Sequence, residues 1–138
     1  MSQVPIPPTV ETKGIVYFAR MLDKIRKHAR GELREDFHER LGEGFDGYCT
    51  QYMRIAYPAL VERTLAGGTD EEILAWCFEN GRELNETNIL IWNNFLAKVG
   101  LRDYASERLA MFKREAGLAD RDDIDTIFAF MDADEGRA

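Results

Sequence analysis

The sequence predicts an all-α fold, a compact irregular (orthogonal) bundle of six to seven short-to-medium helices. Three observations carry this prediction. Apolar residues recur at intervals of three and four almost throughout, glycines stand where those periods end, and no useful stretch alternates apolar with polar. Several periodic segments are short and their connections brief, which favours an irregular bundle over four long helices. Residues 14–138 are expected to form a single helical domain. Residues 1–13 are expected to be a flexible arm, because three of the four prolines fall within the first eight residues.

Taken in order, Ile15, Phe18, Leu22, Ile25 and Ala29 form the apolar stripe of a first helix that Gly31 can end. Arg20, Lys24 and Lys27 occupy another face of it, and the stripe leaves Asp23, Lys24 and Arg26 on or near the solvent side. Residues 32 to 45 keep no sustained period. Asp46 stands where an N-cap would, before a helix carrying Tyr48, Tyr52 and Met53. Pro58 suits the first turn of the next, with Leu60, Val61 and Leu65 apolar and Gly67-Gly68 as its stop. Thr69-Asp70-Glu71-Glu72 is a capping box opening a helix through Ile73, Leu74, Trp76 and Cys77. Asn85 or Thr87 opens another, with Ile89, Trp92, Leu96 and Val99 in phase and Gly100 as its stop. Residues 103 to 116 repeat the pattern through Ala105, Leu109, Phe112 and Ala116. A last helix through Ile124, Ile127, Phe128 and Met131 is expected to begin among Asp120, Asp122 and Asp123, where negative charge meets the positive end of the helix dipole.

A chain of 138 residues, 45% hydrophobic and 31% charged, suits one ordered domain with its own core. Its formal net charge of -7 argues against general nucleic-acid binding, which depends on neutralising phosphates with Lys and Arg. Cys49 and Cys77 are too few for a disulfide framework, and the first residues lack a secretory signal, so both read as reduced thiols. The longest apolar runs, Ile15 to Ala19 and Ile127 to Met131, are far short of the roughly 20 residues that a membrane span needs. A soluble cytoplasmic protein follows as the expectation, with no membrane partner.

Gly42-Glu43-Gly44-Phe45-Asp46-Gly47 matches the G-x-G-x-x-G of dinucleotide-binding folds. That motif needs a buried strand leading into it. Here the ten preceding residues, Glu32 to Leu41, hold seven ionisable side chains and no β-branched residue. One reading of the run is structural, three glycines permitting a tight path between helices. The other is functional, a backbone without β-carbons that a ligand can approach. Asp46 tells against phosphate in particular, since a carboxylate already takes the donors an anion would use. Kinase chemistry would need a strand lysine and a catalytic loop for which the chain has no room.

Other constellations weigh less. Cys49 follows a helix start that could lower its pKa, but the charge of Asp46 opposes this, and no spacing pairs it with His28 or His38. The two cysteines and two histidines lack the close pairs of a zinc site, so no metal and no cofactor are expected. Asp132, Asp134 and Gly136 begin like a calcium loop but lack the glutamate at its twelfth position. Asn93 falls within the Ile89, Trp92, Leu96 stripe, where an amide either ties down a loop or lines a pocket.

Four short segments in order resemble a bacterial family known as domain of unknown function 5069. They are Asp23-Lys24-Ile25-Arg26, Gly44-Phe45-Asp46, Trp92-Asn93 and Asp132-Ala133-Asp134-Glu135-Gly136-Arg137. The resemblance spans the chain from about Gly14 onward and implies a small, stand-alone bacterial cytoplasmic protein. It implies no activity, cofactor or catalytic residue. The function expected is therefore that of a small cytoplasmic helical binding or interaction module, for a protein partner or a small molecule, without a catalytic motif. The alternative is a small enzyme or ligand-binding protein using a pocket at the Gly42–Gly47 loop. A nucleic-acid role through the basic first helix ranks below both. If there is a ligand site, it is expected where Gly44, Phe45 and Asp46 meet Trp92 and Asn93.

Overall fold

The computed structural model describes residues 3–137 and is helical, with seven α-helices among the described residues. The chain divides into two compact units, residues 1–89 and 90–138.

The first unit opens with a two-stranded antiparallel hairpin, β1 (Glu11–Thr12) and β2 (Ile15–Val16), with Thr12 opposite Ile15. Ile15 thus belongs to a strand, not to the first helix as its spacing suggested. Lys13 and Gly14 between the strands both have positive φ, 51° and 81°, as a two-residue hairpin turn requires. Strands of two residues are too short to display a period of two. Helix α1 (Phe18–Ala29) then runs with Phe18, Met21, Leu22 and Ile25 buried. Arg20 and Lys24 are buried too, which corrects the expectation that this face meets solvent.

The cover over the polar face of α1 comes partly from residues 3–8. The Ile6 amide donates to Asp23 Oδ2 at 2.9 Å, Arg20 Nη1 donates to the Ile6 carbonyl at 3.2 Å, and Lys27 Nζ donates to the Val4 carbonyl at 3.0 Å. A proline-rich stretch has few N–H groups of its own, so its carbonyls accept from side chains of the helix beneath.

A 3-10 segment (Glu35–Arg40) fills the aperiodic stretch and leads through Gly42 and Gly44 into α2 (Phe45–Met53). Helix α3 (Tyr57–Leu65) carries Pro58 in its first turn, and α1 and α3 pack together. Helix α4 (Asp70–Asn80) is opened by the expected capping box. Glu72 N–H donates to Thr69 Oγ1 at 3.1 Å, and Thr69 N–H donates to Glu72 Oε1 at 2.8 Å. Asn85 and Asn88 make the same reciprocal exchange at the start of α5 (Glu86–Lys98), which continues into the second unit.

In the second unit Trp92, Leu96 and Val99 are buried, as are Leu109, Ile127 and Phe128. Gly100 ends α5 with φ 104° and lies tight against its surroundings, since a β-carbon there would fall 3.1 Å from the Ile127 amide and from Leu109 Cδ2. Helix α6 (Ser106–Glu115) packs with α7 (Ile127–Asp134). The last helix starts later than its aspartates suggested. Thr126 is its cap, accepting from the Ala129 N–H at 3.1 Å, while Asp123 pairs with Arg121 in the preceding turn.

Candidate functional site

The densest polar cluster in the first unit is built on Tyr17, Lys24 and Asp46. Tyr17 follows β2 and precedes α1 with φ 76° and ψ -29°, a left-handed conformation. For a bulky residue this is a strained backbone, worth about 1–3 kcal/mol, which persists only where its surroundings fix it. The fixing groups are identifiable. Its N–H donates to the Pro8 carbonyl at 2.9 Å, and its ring meets Phe45 edge-on with centroids 5.6 Å apart. Its hydroxyl donates to Asp46 Oδ1 at 2.6 Å.

Lys24 lies within α1, seven residues beyond Tyr17. Its ammonium is 2.8 Å from Asp46 Oδ1 and donates to the Tyr17 hydroxyl oxygen at 3.0 Å. Asp46 is fully buried in the first turn of α2. It does not cap that helix, as its position in the sequence suggested. Gly44 is the N-cap residue, and the Asp46 carboxylate turns back so that Oδ2 accepts from the Gly42 N–H at 3.0 Å. Both carboxylate oxygens are thus engaged, by a phenol, an ammonium and a backbone amide. The positive end of the α2 dipole adds to what holds the negative charge there.

Gly42 needs its glycine twice over. Its φ is 79°, and a β-carbon would stand 2.8 Å from Cδ2 of the Tyr57 ring. The bare face of the loop is occupied at this residue by Tyr57. Gly44, at φ 57°, has open space around the position of a β-carbon.

Burial and charge set the chemistry. Burial pushes the Tyr17 phenol well above its ordinary pKa, and the neighbouring Asp46 charge pushes in the same direction. Cys49, one turn further along α2, is raised well above the usual thiol range by burial and then by Asp46. Burial likewise lifts Cys77 to about 12 and raises Tyr57. At neutral pH this region therefore presents a phenol and thiols, not a phenolate or a thiolate nucleophile. What the arrangement does is join α1, the glycine loop and α2 through one shared carboxylate.

The residues singled out from the sequence are distributed as follows. Gly44, Phe45 and Asp46 lie together in the first unit, with Phe45 buried against Tyr17. Trp92 is buried and Asn93 half-buried in the second unit. Tyr17 and Lys24, which complete the cluster around Asp46, were not among the expected site residues. Their only sequence signal is a seven-residue spacing. His28 and His38 pair with each other, their ring centroids 4.6 Å apart, and His38 Nε2 lies 2.9 Å from the Leu33 carbonyl oxygen. The basic residues of α1 and its sequel hold carboxylates: Arg26 with Asp70, Lys27 with Asp23, Arg30 with Glu32 and Arg34 with Asp36.

Among the described residues, no group of three or more His, Cys, Asp and Glu could hold a metal ion. Nor is any helix among them long and apolar enough to cross a membrane. A search of curated proteins returned no match. A family model described as Domain of unknown function (DUF5069) matches residues 2–137. With nearly its whole length covered by that one model, the chain belongs to the DUF5069 family.

Proposed function

We propose that the protein is a non-catalytic interaction module whose binding surface is the exposed apolar side of α5 and the turn that follows it. One observation carries the reading. Leu90, Ile91, Phe95, Leu101 and Tyr104 are each between 42% and 62% exposed, and the Phe95 and Tyr104 rings stack within 2° of parallel at 6.3 Å. The stacked Phe95 and Tyr104 rings form one continuous exposed apolar surface, and exposed apolar side chains gathered in one place often mark a binding site.

The first unit supports the same reading from another side. Its titratable cluster is buried and its members bind one another, an arrangement suited to a scaffold. A small molecule at the Gly42–Gly47 loop has less behind it, because Asp46 takes the Gly42 N–H and Tyr57 covers that glycine. The ion pairs along α1 leave nucleic acid out of the proposal. Two free, buried thiols suit a reducing compartment, so a bacterial cytoplasmic setting belongs to the same proposal.

Thermal-shift screening against a metabolite library tests module against ligand-binding protein, because a ligand of the folded state must raise apparent stability. The module reading expects no stabilisation that depends on the loop. A metabolite that raises Tm in the native protein but not in Gly44→Ala would transfer the function to the first unit.

A further inference from the structure

We infer that the face of α1 bearing Arg20, Asp23 and Lys27 is a docking groove for a Pro-x-x-Pro segment of another protein, and that residues 3–8 occupy it as an intramolecular stand-in. This second binding face lies in the first unit and owes nothing to the α5 surface. Its ligand chemistry is legible in the present occupant. Pro5-Ile6-Pro7-Pro8 is a Pro-x-x-Pro run, with Pro5 and Pro8 buried and the two residues between them half-buried. Burial at every third residue is the period of a polyproline helix laid with one edge on a receptor. Such a helix makes no hydrogen bonds of its own, so its carbonyls are left for the receptor to satisfy.

The first unit satisfies them one after another. The Gln3 carbonyl accepts from the Arg34 N–H at 2.8 Å, and that of Val4 from Lys27 Nζ at 3.0 Å. The Ile6 carbonyl accepts from Arg20 Nη1 at 3.2 Å, and that of Pro8 from the Tyr17 N–H at 2.9 Å. The amide of Ile6, between two prolines, donates to Asp23 Oδ2 at 2.9 Å. Arg20, Asp23 and Lys27 stand at i, i+3 and i+7 and so share one face of α1. They are also positioned by groups outside the occupant. Asp23 and Lys27 pair at 2.7 Å, and the Arg20 guanidinium lies over the Phe37 ring, 5.9 Å from its centroid. All five contacts to residues 3–8 are to main-chain atoms, so another chain with the same proline spacing presents the same partners.

Covalent attachment makes the arm a strong competitor. A tethered segment acts at an effective concentration on the order of 1 mM, so a free segment binds the intact chain only near or above that value. Binding of a partner and release of the arm are therefore one event.

Fluorescence anisotropy on the full chain, with two labelled peptides, tests the inference. One peptide reproduces residues 3–9. The other keeps prolines at the positions of Pro5 and Pro8 and has alanine elsewhere. Pro5→Asp unseats the arm by setting a carboxylate in a buried position. This variant is expected to bind both peptides at least about tenfold more tightly than the unaltered chain does. Adding Lys27→Met should weaken both again by about tenfold, the share of one charge-assisted hydrogen bond. A Pro5→Asp chain with an unchanged far-ultraviolet circular dichroism spectrum that binds neither peptide overturns the inference. So does binding of the residue 3–9 peptide alone, which would reserve the groove for this chain's own arm, in cis or from a second copy. Should Pro5→Asp fail to fold, the unaltered chain still decides. With the alanine peptide at about 5 mM, several times the effective concentration of the arm, the Ile6 amide should exchange hydrogen at least about tenfold faster while Leu22 in α1 is unaffected. An Ile6 amide whose exchange ignores the peptide overturns the inference as well.

Discussion

Replacing Asp46 by Ala distinguishes a buried keystone from a helix cap. A capping aspartate loses about 0.5–2 kcal/mol on such a change. In the structure the substitution removes the acceptor of the Tyr17 hydroxyl at 2.6 Å and of the Gly42 amide at 3.0 Å, together with the countercharge of Lys24 at 2.8 Å. Breaking a buried ion pair on one side costs about 3–5 kcal/mol, since a charge is left uncompensated in a poorly solvated place. The neutral donors add to this less than their separate cost of about 1–3 kcal/mol each, because the enlarged site can relax or admit water. A loss of roughly 3–5 kcal/mol is expected, a large share of the 5–15 kcal/mol that holds typical domains folded.

The assay is urea unfolding followed by far-ultraviolet circular dichroism. Lys24→Met should cost a similar amount, because it strands the carboxylate instead of the ammonium. The double variant Lys24→Met/Asp46→Leu should cost far less than the sum of the single effects, since neither charge is then left alone. An Asp46→Ala loss of about 2 kcal/mol or less, or single costs that add within about 0.5 kcal/mol, would show that the pair does not hold the first unit together.

Alkaline stability follows from the raised thiols and phenols. Their folded-state pKa values lie above the ordinary 9.0 and 10.0, so the unfolded chain releases protons first and stability must fall as pH rises beyond about 9. Each group that ionises only on unfolding contributes a slope of about 1.4 kcal/mol per pH unit, readable from urea midpoints between pH 8 and 11. Cys49→Ala should make the earliest part of the fall shallower by one proton's share, about 1.4 kcal/mol per pH unit, with Cys77 still supplying its own, and an unchanged curve would contradict the assignment. Gly42→Ala should destabilise by at least about 1 kcal/mol more than Gly31→Ala, a glycine of similar φ, 71°, whose β-carbon position is open. Both carry the left-handed cost of roughly 1–2 kcal/mol, but only Gly42 meets the Tyr57 ring. Equal losses would mean that this contact does not matter.

The parts of the fold visible in the sequence are those whose cause is local. The Thr69–Glu72 box was legible because both partners lie within three residues, and Pro58 because its fixed φ suits a first turn. The hairpin at Lys13–Gly14 was not, because strands of two residues leave no period and Ile15 stays in phase with the helix that follows. The start of α7 was misplaced for a related reason. Clustered aspartates suit a helix N-terminus and a turn equally well, and here Asp123 is held in the turn by Arg121. The choice of Thr126 depends on where Val99 offers its carbonyl to the Ile127 N–H, a contact that no window of sequence contains.

The polar cluster was legible in one member of three. Asp46 could be singled out because it closes a run of glycines, whereas Tyr17 reaches it across 29 residues. Lys24 was assigned to solvent because helical periodicity records only where apolar residues stand. A lysine can enter the interior wherever another element supplies a carboxylate, and periodicity cannot register that supplier. The strained Tyr17 backbone is intelligible in the same terms. A conformation costing about 1–3 kcal/mol is retained where the phenol it directs is bound on both sides, by Asp46 and Lys24. Strain of this kind often marks catalysis. Here the strained residue ends in a hydroxyl that donates inward to a carboxylate and stays protonated far above neutrality. Its effect is to fix the path from the hairpin into α1 and, through Asp46 and Gly42, the turn into α2. A first unit so committed to its own rigidity leaves recognition to an exposed surface, which is the part the proposal assigns to the apolar side of α5.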